Sequence, residues 1–431
     1  MTNLESLYHS FLKSSGVCTD TRKISIGNLF FALKGPNFNA NTFASQALEE
    51  GALAVVIDEK NYLIEGDERY FLVDDALEAL QQLANYHRKK LDIPFLAITG
   101  SNGKTTTKEL LNAILSKKFN TKATVGNLNN HIGVPLTLLS MDEKTEFAIV
   151  EMGANKIGDI QELCEIAAPT HGLITNIGRA HLEGFGSFEG VLRAKTELYH
   201  YLISKGGTIF VNSQNQILAN MIKRMNDPVL YPAKGDFYQC EFVEANPFVK
   251  FRTADGKEHT TNMLGAYNFD NIATALAVGV YFGVDEPVAI QSVSQYVPGN
   301  MRSQLIEKGS NLIILDAYNA NPSSMEQAIR TFGEMTGKKH KMAILGDMFE
   351  LGDSAVEEHK KLGEWVNSYE IDKVCFTGEM VQNALLKAPR ALYFPDPFSL
   401  RNWLADSQLE DYLILIKGSR GMKLEGLVDY I

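Results

Sequence analysis

Residues 98–106 read Ile98-Thr99-Gly100-Ser101-Asn102-Gly103-Lys104-Thr105-Thr106, and this stretch decides the fold of the chain. The apolar run that enters it predicts a buried strand, and the pattern that leaves it predicts a helix from 104 to about 115. In a strand, glycine turn and helix of this kind, backbone N–H groups and the helix N-terminus face a phosphate group. An ordinary strand-to-helix turn would explain the glycines, but it would not explain Lys104 and the threonines that follow.

The loop is a shortened variant of the common phosphate-binding sequence. That sequence, Gly-x-x-x-x-Gly-Lys, would place its first glycine where this chain has Ile98. The turn retains Gly100 and Gly103, a lysine for the outer phosphates, and hydroxyl groups that can bind Mg²⁺. We therefore predict that the chain binds a nucleotide here.

Length and composition indicate a soluble cytoplasmic protein of more than one domain. A chain of 431 residues exceeds what a single core usually supports. The net charge of −11 argues against nucleic acid or a membrane surface as partner, because both require a dominant basic face. The sequence has no long apolar run and no basic N-terminal segment followed by an apolar core, so we do not expect an integral membrane protein. The four separated cysteines are expected to be reduced thiols.

Alternating apolar runs and helical patterns predict an α/β fold of three domains. Residues 1–90 carry short apolar runs that are separated by Gly, Asn and Asp, and they suggest a small α/β domain. Residues 91–298 alternate strands and helices, which indicates a mostly parallel sheet, and Asp255-Gly256 predicts a hairpin. Pro298-Gly299 is interpreted as a hinge, and residues 299–431 continue as a second doubly wound unit.

Three ionisable residues of the central region are candidate site residues. Glu151 ends an apolar strand, where a carboxylate beside the phosphate loop could bind Mg²⁺, although an exposed strand-end glutamate would look the same. His181 lies in a glycine-containing loop after the strand predicted at 173–177, and its residue type alone favours a structural role as much as a functional one. Lys195 lies on a predicted helix, and composition alone supports only a solvated lysine there.

Two asparagine-rich segments are candidate ligand-binding loops. Asn127, Asn129 and Asn130 suit hydrogen bonding to an uncharged polar ligand, but turns also favour asparagine. Asp316 ends a predicted strand and is followed by Tyr318, Asn319 and Asn321. Asn321 before a proline also predicts a helix N-cap, and the two interpretations are compatible.

Several of these segments together resemble the central domain of the Mur ligases, the ATP-dependent amide-bond synthetases of peptidoglycan precursor assembly. They are residues 99–106, Glu151-Met152-Gly153-Ala154-Asn155, residues 176–186 and Ala194-Lys195-Thr196-Glu197. Residues 265–271 are similar to the adenine-binding element of that family, with Tyr267 where histidine is common. Segments outside the central region, at 20–35, 316–325, 345–352 and 417–422, are most similar to the member that adds D-alanyl-D-alanine.

The resemblance implies a UDP-binding domain that includes Thr21 and Arg22, a central ATPase and a Rossmann-like domain that binds the acceptor. It implies that residues 100–106 hold the ATP phosphates, with Lys104 neutralising charge and Thr105 on Mg²⁺. The remaining implied roles fall to the following residues. Glu151, His181 and a carbamylated Lys195 would bind a second Mg²⁺. Asn268 and Asn271 would bind the adenine, Asp316 would bind the ribose, and Arg302 would bind a phosphate. The substrates would be bound by Asn127, Asn129, Asn130, Tyr318, Asn319 and Asn321. The family often has arginine directly after Pro-Gly, where this chain has Asn300.

The resemblance also implies the reaction. ATP would activate the carboxylate of UDP-N-acetylmuramoyl-tripeptide as an acyl phosphate, and D-alanyl-D-alanine would displace the phosphate. We expect a monomer. A sister ligase, such as another Mur-type enzyme or a folylpolyglutamate synthase, is one alternative, and a nucleotide-binding regulatory module without catalysis is a more distant one.

Overall fold

The computed structural model describes residues 4–431, which form three successive parallel-rich β-sheets covered by helices. The predicted α/β class is confirmed. None of the helices within residues 4–431 combines the length and the apolar character needed to cross a lipid bilayer.

The first sheet is small, entirely parallel and ordered β1-β2-β5-β6. The elements of this first region are α1 (Leu4–Lys13), β1 (Val17–Cys18), β2 (Leu29–Phe31), β3 (Lys34–Gly35), β4 (Phe38–Asn39), α2 (Ala44–Glu49), β5 (Ala54–Ile57), β6 (Tyr70–Leu72) and α3 (Ala76–Arg88). Strands β3 and β4 pair with each other in a separate antiparallel sheet. Successive residues of β2 point to opposite faces, so Phe31 packs in the core shared with α1 and α3, and Phe30 packs in the core beneath α2. Helices therefore cover both faces of this sheet.

The central sheet is also parallel and has the order β12-β11-β10-β7-β9-β8. Its elements are β7 (Phe95–Thr99), α4 (Lys104–Leu115), β8 (Thr121–Ala123), α5 (Gly133–Leu139), β9 (Phe147–Glu151), α6 (Asp159–Ala167), β10 (His171–Ile174), α7 (Leu182–Phe185), α8 (Phe188–Lys205), β11 (Thr208–Asn212), α9 (Gln216–Ala219) and β12 (Val229–Tyr231). Strand β7 is buried along its whole length, because it has strands on both sides and helices on both faces. The loop that follows it therefore opens at the middle of the sheet edge, where ligands of such folds bind.

A three-stranded antiparallel sheet extends the central region. Its elements and the helices after it are β13 (Cys240–Ala245), β14 (Phe248–Thr253), β15 (Glu258–Leu264), α10 (Asn268–Tyr281) and α11 (Glu286–Gln295). The predicted hairpin at Asp255-Gly256 is confirmed, since it joins β14 to β15. Strand β13 was not predicted.

The third sheet has the order β16-β17-β21-β18-β19-β20, and only the edge strand β16 runs antiparallel to its neighbour. Its elements are β16 (Gln304–Lys308), β17 (Asn311–Asp316), α12 (Pro322–Glu334), β18 (His340–Gly346), α13 (Ala355–Asn367), β19 (Lys373–Thr377), β20 (Leu392–Phe394), α14 (Pro397–Ala405) and β21 (Tyr412–Lys417). The strands predicted after the hinge are present, but β16 was missed, because it is a partly exposed edge strand with little apolar patterning.

One boundary error affects the site. The strand predicted at 173–177 ends at Ile174, and the Thr175 hydroxyl that follows donates to the carbonyl oxygen of Asn102 at 2.6 Å. Asn176 and the residues up to His181 consequently form a loop beside the phosphate-binding turn.

We predict that Ile98→Ala lowers the free energy of unfolding of the central region by about 2–5 kcal/mol. Ile98 is fully buried and packs with Leu110 and Ile114 of α4, so truncation leaves a cavity in the core. Urea denaturation followed by circular dichroism measures the change. Ile26→Ala is the matched control, because the Ile26 side chain is 85% exposed and should lose almost nothing. Equal midpoints for the two variants would contradict this account of the core.

Candidate active site

A cavity of about 1060 Å³ lies at the carboxyl ends of the central strands, and residues of the third sheet form its opposite wall. The structure brings most of the predicted site residues together around it. Those that line the cavity are Ser101, Asn102, Gly103, Lys104, Thr105, Thr106, Asn127, Asn129, Asn130, Glu151, His181, Asn268, Asn271, Arg302, Asp316, Tyr318, Asn319 and Asn321. Thr21, Arg22, Gly100 and Lys195 are not among the lining residues. The exposed Arg22 guanidinium pairs with Asp20 at 2.9 Å.

The phosphate loop requires its two glycines. Gly100 has φ +143°, and a Cβ there would collide with the hydroxyl group of Thr175. Gly103 has φ +79°, and a Cβ there would lie 2.5 Å from the Asn271 Oδ1. Only glycine can adopt these backbone angles with neighbours so close. The loop therefore packs tightly against the residues that follow β10 and against helix α10.

Lys104 extends over the phosphate loop. Its Nζ donates hydrogen bonds to the carbonyl oxygens of Gly100 at 2.6 Å and Ser101 at 3.3 Å. Burial lowers the pKa of Lys104, Glu151 partly opposes this effect, and the positive charge of Arg302 adds to it. A bound anion would stabilise the charged ammonium, which makes this lysine suited to phosphate binding.

Thr105, Glu151 and Asn129 form a compact set of oxygen and amide groups. The Thr105 hydroxyl donates to Glu151 Oε2 at 2.9 Å, and Asn129 Nδ2 donates to Glu151 Oε1 at 2.8 Å. Parallel pairing places Glu151 beside Ile98, so its carboxylate reaches the start of α4. Mg²⁺ prefers such oxygen ligands, and the buried Glu151 carboxylate with the adjacent Thr105 hydroxyl fits this ion.

His181 and Lys195 are linked through one aromatic ring. The His181 ring packs edge-to-face on Phe185 with centroids 6.4 Å apart, and the Lys195 Nζ lies 5.4 Å from the centre of the same ring. Lys195 is only 2% exposed. Burial lowers its pKa well below the usual value, and the nearby positive charge of Lys104 lowers it further. The alternative of a solvated lysine is therefore wrong, and burial favours the neutral form of the amine at this position.

Asn268 and Asn271 form a buried network at the start of α10. Asn268 Nδ2 donates to the carbonyl oxygen of Leu264 at 2.7 Å, and Asn271 Nδ2 donates to Asn268 Oδ1 at 2.8 Å. The Thr107 hydroxyl donates to Asn271 Oδ1 at 3.0 Å, which connects this network to the helix of the phosphate loop. Both asparagines border the cavity, so the adenine role remains a prediction with compatible geometry.

The wall formed by the third sheet is organised around Asp316. The parallel register aligns Asp316 with Lys417, and the Lys417 Nζ donates to the Asp316 carboxylate at 2.6 Å. Lys417 was not among the predicted site residues, although it belongs to the quoted segment 417–422. Arg302 stacks on the Tyr318 ring with its Cζ 3.8 Å from the ring centre. Asn300, Met301 and Ser303 beside it have positive φ, so this hinge is held in an unusual conformation.

Direct hydrogen bonds join the third sheet to the phosphate loop. Asn321 caps helix α12 through a capping box, as predicted, and its Nδ2 also donates to Asn102 Oδ1 at 2.8 Å. The Arg179 backbone N–H donates to Ser323 Oγ at 3.0 Å, and the Arg179 guanidinium lies 3.6 Å from the Glu358 carboxylate. Ser323 was missed because only the tertiary fold brings it near Arg179. These contacts hold the third sheet against the nucleotide loop.

Known proteins similar to this chain match it along nearly its full length. Family descriptions match in sequence order: "Mur ligase family, catalytic domain" at residues 13–88, "Mur ligase middle domain" at 98–279 and "Mur ligase, glutamate ligase domain" at 301–420. The UDP-N-acetylmuramoyl-tripeptide–D-alanyl-D-alanine ligase of Bacillus subtilis is 38% identical over 422 residues, which cover 96% of this chain and 92% of the relative.

Two solved structures have the same architecture. The structure of MurF from Acinetobacter baumannii matches with a TM-score of 0.87 and 30% identity, covering 99% of this chain and 98% of that one. The structure of MurF ligase from Thermotoga maritima in complex with ADP matches with a TM-score of 0.84 and 28% identity, covering 100% and 98%.

We predict that Gly103→Ala weakens ADP binding by at least about tenfold, since the new Cβ would displace Asn271 and distort the loop. Isothermal titration calorimetry measures the affinity. Gly66→Ala is the matched control, because Gly66 has a similar φ of +84° but nothing within 4 Å of its Cβ position. The control should lose a little stability and no affinity. Unchanged ADP affinity in Gly103→Ala would contradict the geometry described for the loop.

Proposed function

Because this chain belongs to the Mur ligase family, we propose that it is the ATP-dependent ligase that adds D-alanyl-D-alanine to UDP-N-acetylmuramoyl-tripeptide. The observation that carries this proposal is the nearly full-length similarity to a ligase of that name. The cavity supports it, because a phosphate loop and a separate polar wall face one another across a space large enough for more than one ligand. The enzyme acts as a monomer in the cytoplasm, in peptidoglycan precursor synthesis.

ATP lies with its phosphates on residues 100–106 and its adenine near Asn268 and Asn271. The Asp316 carboxylate, at the opposite wall, accepts hydrogen bonds from the ribose. Arg302 contacts a phosphate, and this assignment is supported by its buried Nε, which has no hydrogen-bond partner within residues 4–431. Thr105 would hold one Mg²⁺, and Glu151 and His181, with the carbamate of Lys195, would hold a second. These ions would supply positive charge to the phosphates.

The substrates approach the nucleotide from the other two parts of the chain. Residues 1–90, with Thr21 and Arg22, bind the UDP portion, residues 91–298 bind ATP, and residues 299–431 bind the acceptor. The polar side chains of the cavity wall are assigned to the peptide groups. They are Asn127, Asn129, Asn130, Tyr318, Asn319 and Asn321.

The reaction joins the tripeptide carboxylate to the dipeptide amine, and the carboxylate must first be activated. A carboxylate oxygen of the tripeptide attacks the γ-phosphorus of ATP, the bond to the β-phosphate oxygen breaks, and ADP leaves. Lys104 offsets the negative charge that accumulates between carboxylate and phosphate. The dipeptide amine then attacks the acyl carbon, and inorganic phosphate leaves from the tetrahedral intermediate with net loss of a proton from nitrogen. Since water would destroy the acyl phosphate, the contacts of Asn321 and Ser323 with the central loops protect it.

Lys195 reacts with CO₂ to form a carbamate. Only a neutral amine undergoes this reaction, and the burial of Lys195 lowers its pKa and so favours the neutral form. The product is an anion, which is suited to the positively charged surroundings of Lys104 and Mg²⁺. Acidification has the opposite effect, because the amine becomes protonated as the pH falls through its lowered pKa.

We predict that phosphate release from ATP requires both UDP-N-acetylmuramoyl-tripeptide and D-alanyl-D-alanine, because the acyl phosphate accumulates without an acceptor amine. A coupled phosphate assay with a panel of acceptors measures this dependence. L-alanyl-L-alanine and single amino acids should stimulate release only weakly. Strong stimulation by glutamate or by a diamino acid in place of the dipeptide would identify a sister ligase instead.

Lys104→Ala should abolish ADP formation in the same assay and leave the circular dichroism spectrum unchanged, because its side chain faces the cavity. Normal turnover in this variant would refute the role of Lys104.

We predict that enzyme equilibrated with ¹³C-bicarbonate shows a carbamate resonance that Lys195→Arg abolishes, because arginine does not form this adduct. Lys108→Arg is the matched control, since Lys108 is also a buried lysine of the same region. The control should retain the signal, and the wild-type signal should decline on acidification. A resonance that survives in Lys195→Arg would show that the carbamate is elsewhere.

A further inference from the structure

The loop after β18 contacts the central region at a residue that the proposed reaction does not use. In this loop, the Glu350 carboxylate contacts the Nδ1 of His181. The Glu350 carbonyl oxygen also accepts a hydrogen bond from the backbone N–H of Glu183 at 3.3 Å. The third sheet therefore touches the His181 loop through both the backbone and the side chain of one residue.

Both partners of this contact have an uncommon backbone conformation. His181 has φ +52° and Glu350 has φ +61°. Residues other than glycine adopt this region uncommonly, although asparagine, aspartate and histidine do so more often than the rest, and such residues often lie at functional sites. The two residues with this conformation meet each other at the contact between the domains.

The contact determines which imidazole nitrogen is available to a ligand. An imidazole has two ring nitrogens, and a partner on one of them fixes the tautomer and the orientation of the ring. The Glu350 carboxylate lies against Nδ1, which is buried and has no regular hydrogen bond within residues 4–431, so Nε2 is the nitrogen that remains for the cavity that His181 lines. The edge-to-face contact with Phe185 holds the ring from a second direction.

We propose that Glu350 is a positioning residue, which fixes the His181 imidazole through Nδ1 and directs Nε2 to the metal and phosphate cavity. Because Glu350 belongs to the third sheet, the metal site is complete only when that sheet is docked on the central region. This inference rests on the proposed function, since the role of His181 is assigned there.

The first test is the Mg²⁺ dependence of the ligase reaction. Glu350→Ala should raise the Mg²⁺ concentration for half-maximal rate by about tenfold or more and should lower kcat, as loss of such supporting groups does at metal sites. Glu350→Gln retains a hydrogen-bond acceptor for Nδ1 and should show a smaller effect. Glu357→Gln is the matched control, because Glu357 is an exposed acid of the same domain that pairs only with nearby Lys360, at 3.5 Å. Its Mg²⁺ dependence should equal that of the wild type.

A second test requires no substrate. Proton–nitrogen NMR of the imidazoles, assigned by difference with His181→Gln, should show His181 with Nδ1 protonated in the wild type and a mixture of tautomers in Glu350→Ala. A double-mutant cycle completes the test, because Glu350→Ala should cause no further loss in a His181→Ala background.

An unchanged Mg²⁺ requirement in Glu350→Ala, an unchanged His181 tautomer, or multiplicative effects of the two substitutions would overturn the proposal. These results differ from failure of the proposed function, in which wild-type enzyme itself would show no dipeptide-dependent phosphate release.

Discussion

The close approach of the phosphate loop to its neighbours is the constraint on which the rest of the site depends. At Gly100 the loop lies against Thr175, whose hydroxyl donates to the Asn102 carbonyl, and Asn176 accepts from the Asn102 N–H at 3.0 Å. These bonds fix the direction in which α4 starts, and so place Thr105 within hydrogen-bonding distance of Glu151. The position of this turn therefore determines the position of the cavity, of the Thr105 and Glu151 oxygens, and of the contacts with the third sheet.

Basic side chains lie close to the phosphate loop, although the chain as a whole carries a net charge of −11. Lys104 and Arg302 line the cavity, and the positive charge of Arg302 contributes to lowering the pKa of Lys104. Acidic side chains, among them Glu151 and Asp316, line the same cavity. Burial makes the Lys104 ammonium costly when no anion is bound, and a triphosphate would offset that cost.

The sequence allowed the phosphate loop, the α/β class and most strand positions to be predicted, because these features depend on local patterns and on the rule that strand ends gather at one edge. Lys195 was ambiguous, since its burial follows from the packing of α8 and not from its own neighbours in sequence. The pairing of Lys417 with Asp316 could not be predicted, because the two residues are distant in sequence and are brought together by parallel register. The contact between Glu350 and His181 could not be predicted either, because the two residues meet only where two domains pack together. Strand β16 was missed for a different reason, namely that an edge strand needs little apolar alternation.

The edge strand β16 fixes Arg302 to the third sheet. Arg302 stands two residues before Gln304, where β16 begins its pairing with β17, so its backbone is anchored to the third sheet and not to the central one. Any rotation of that sheet must carry the guanidinium with it, along with the Tyr318 ring on which it stacks. The part of the cavity wall that carries Arg302 and Tyr318 therefore moves with the third sheet and not with the phosphate loop.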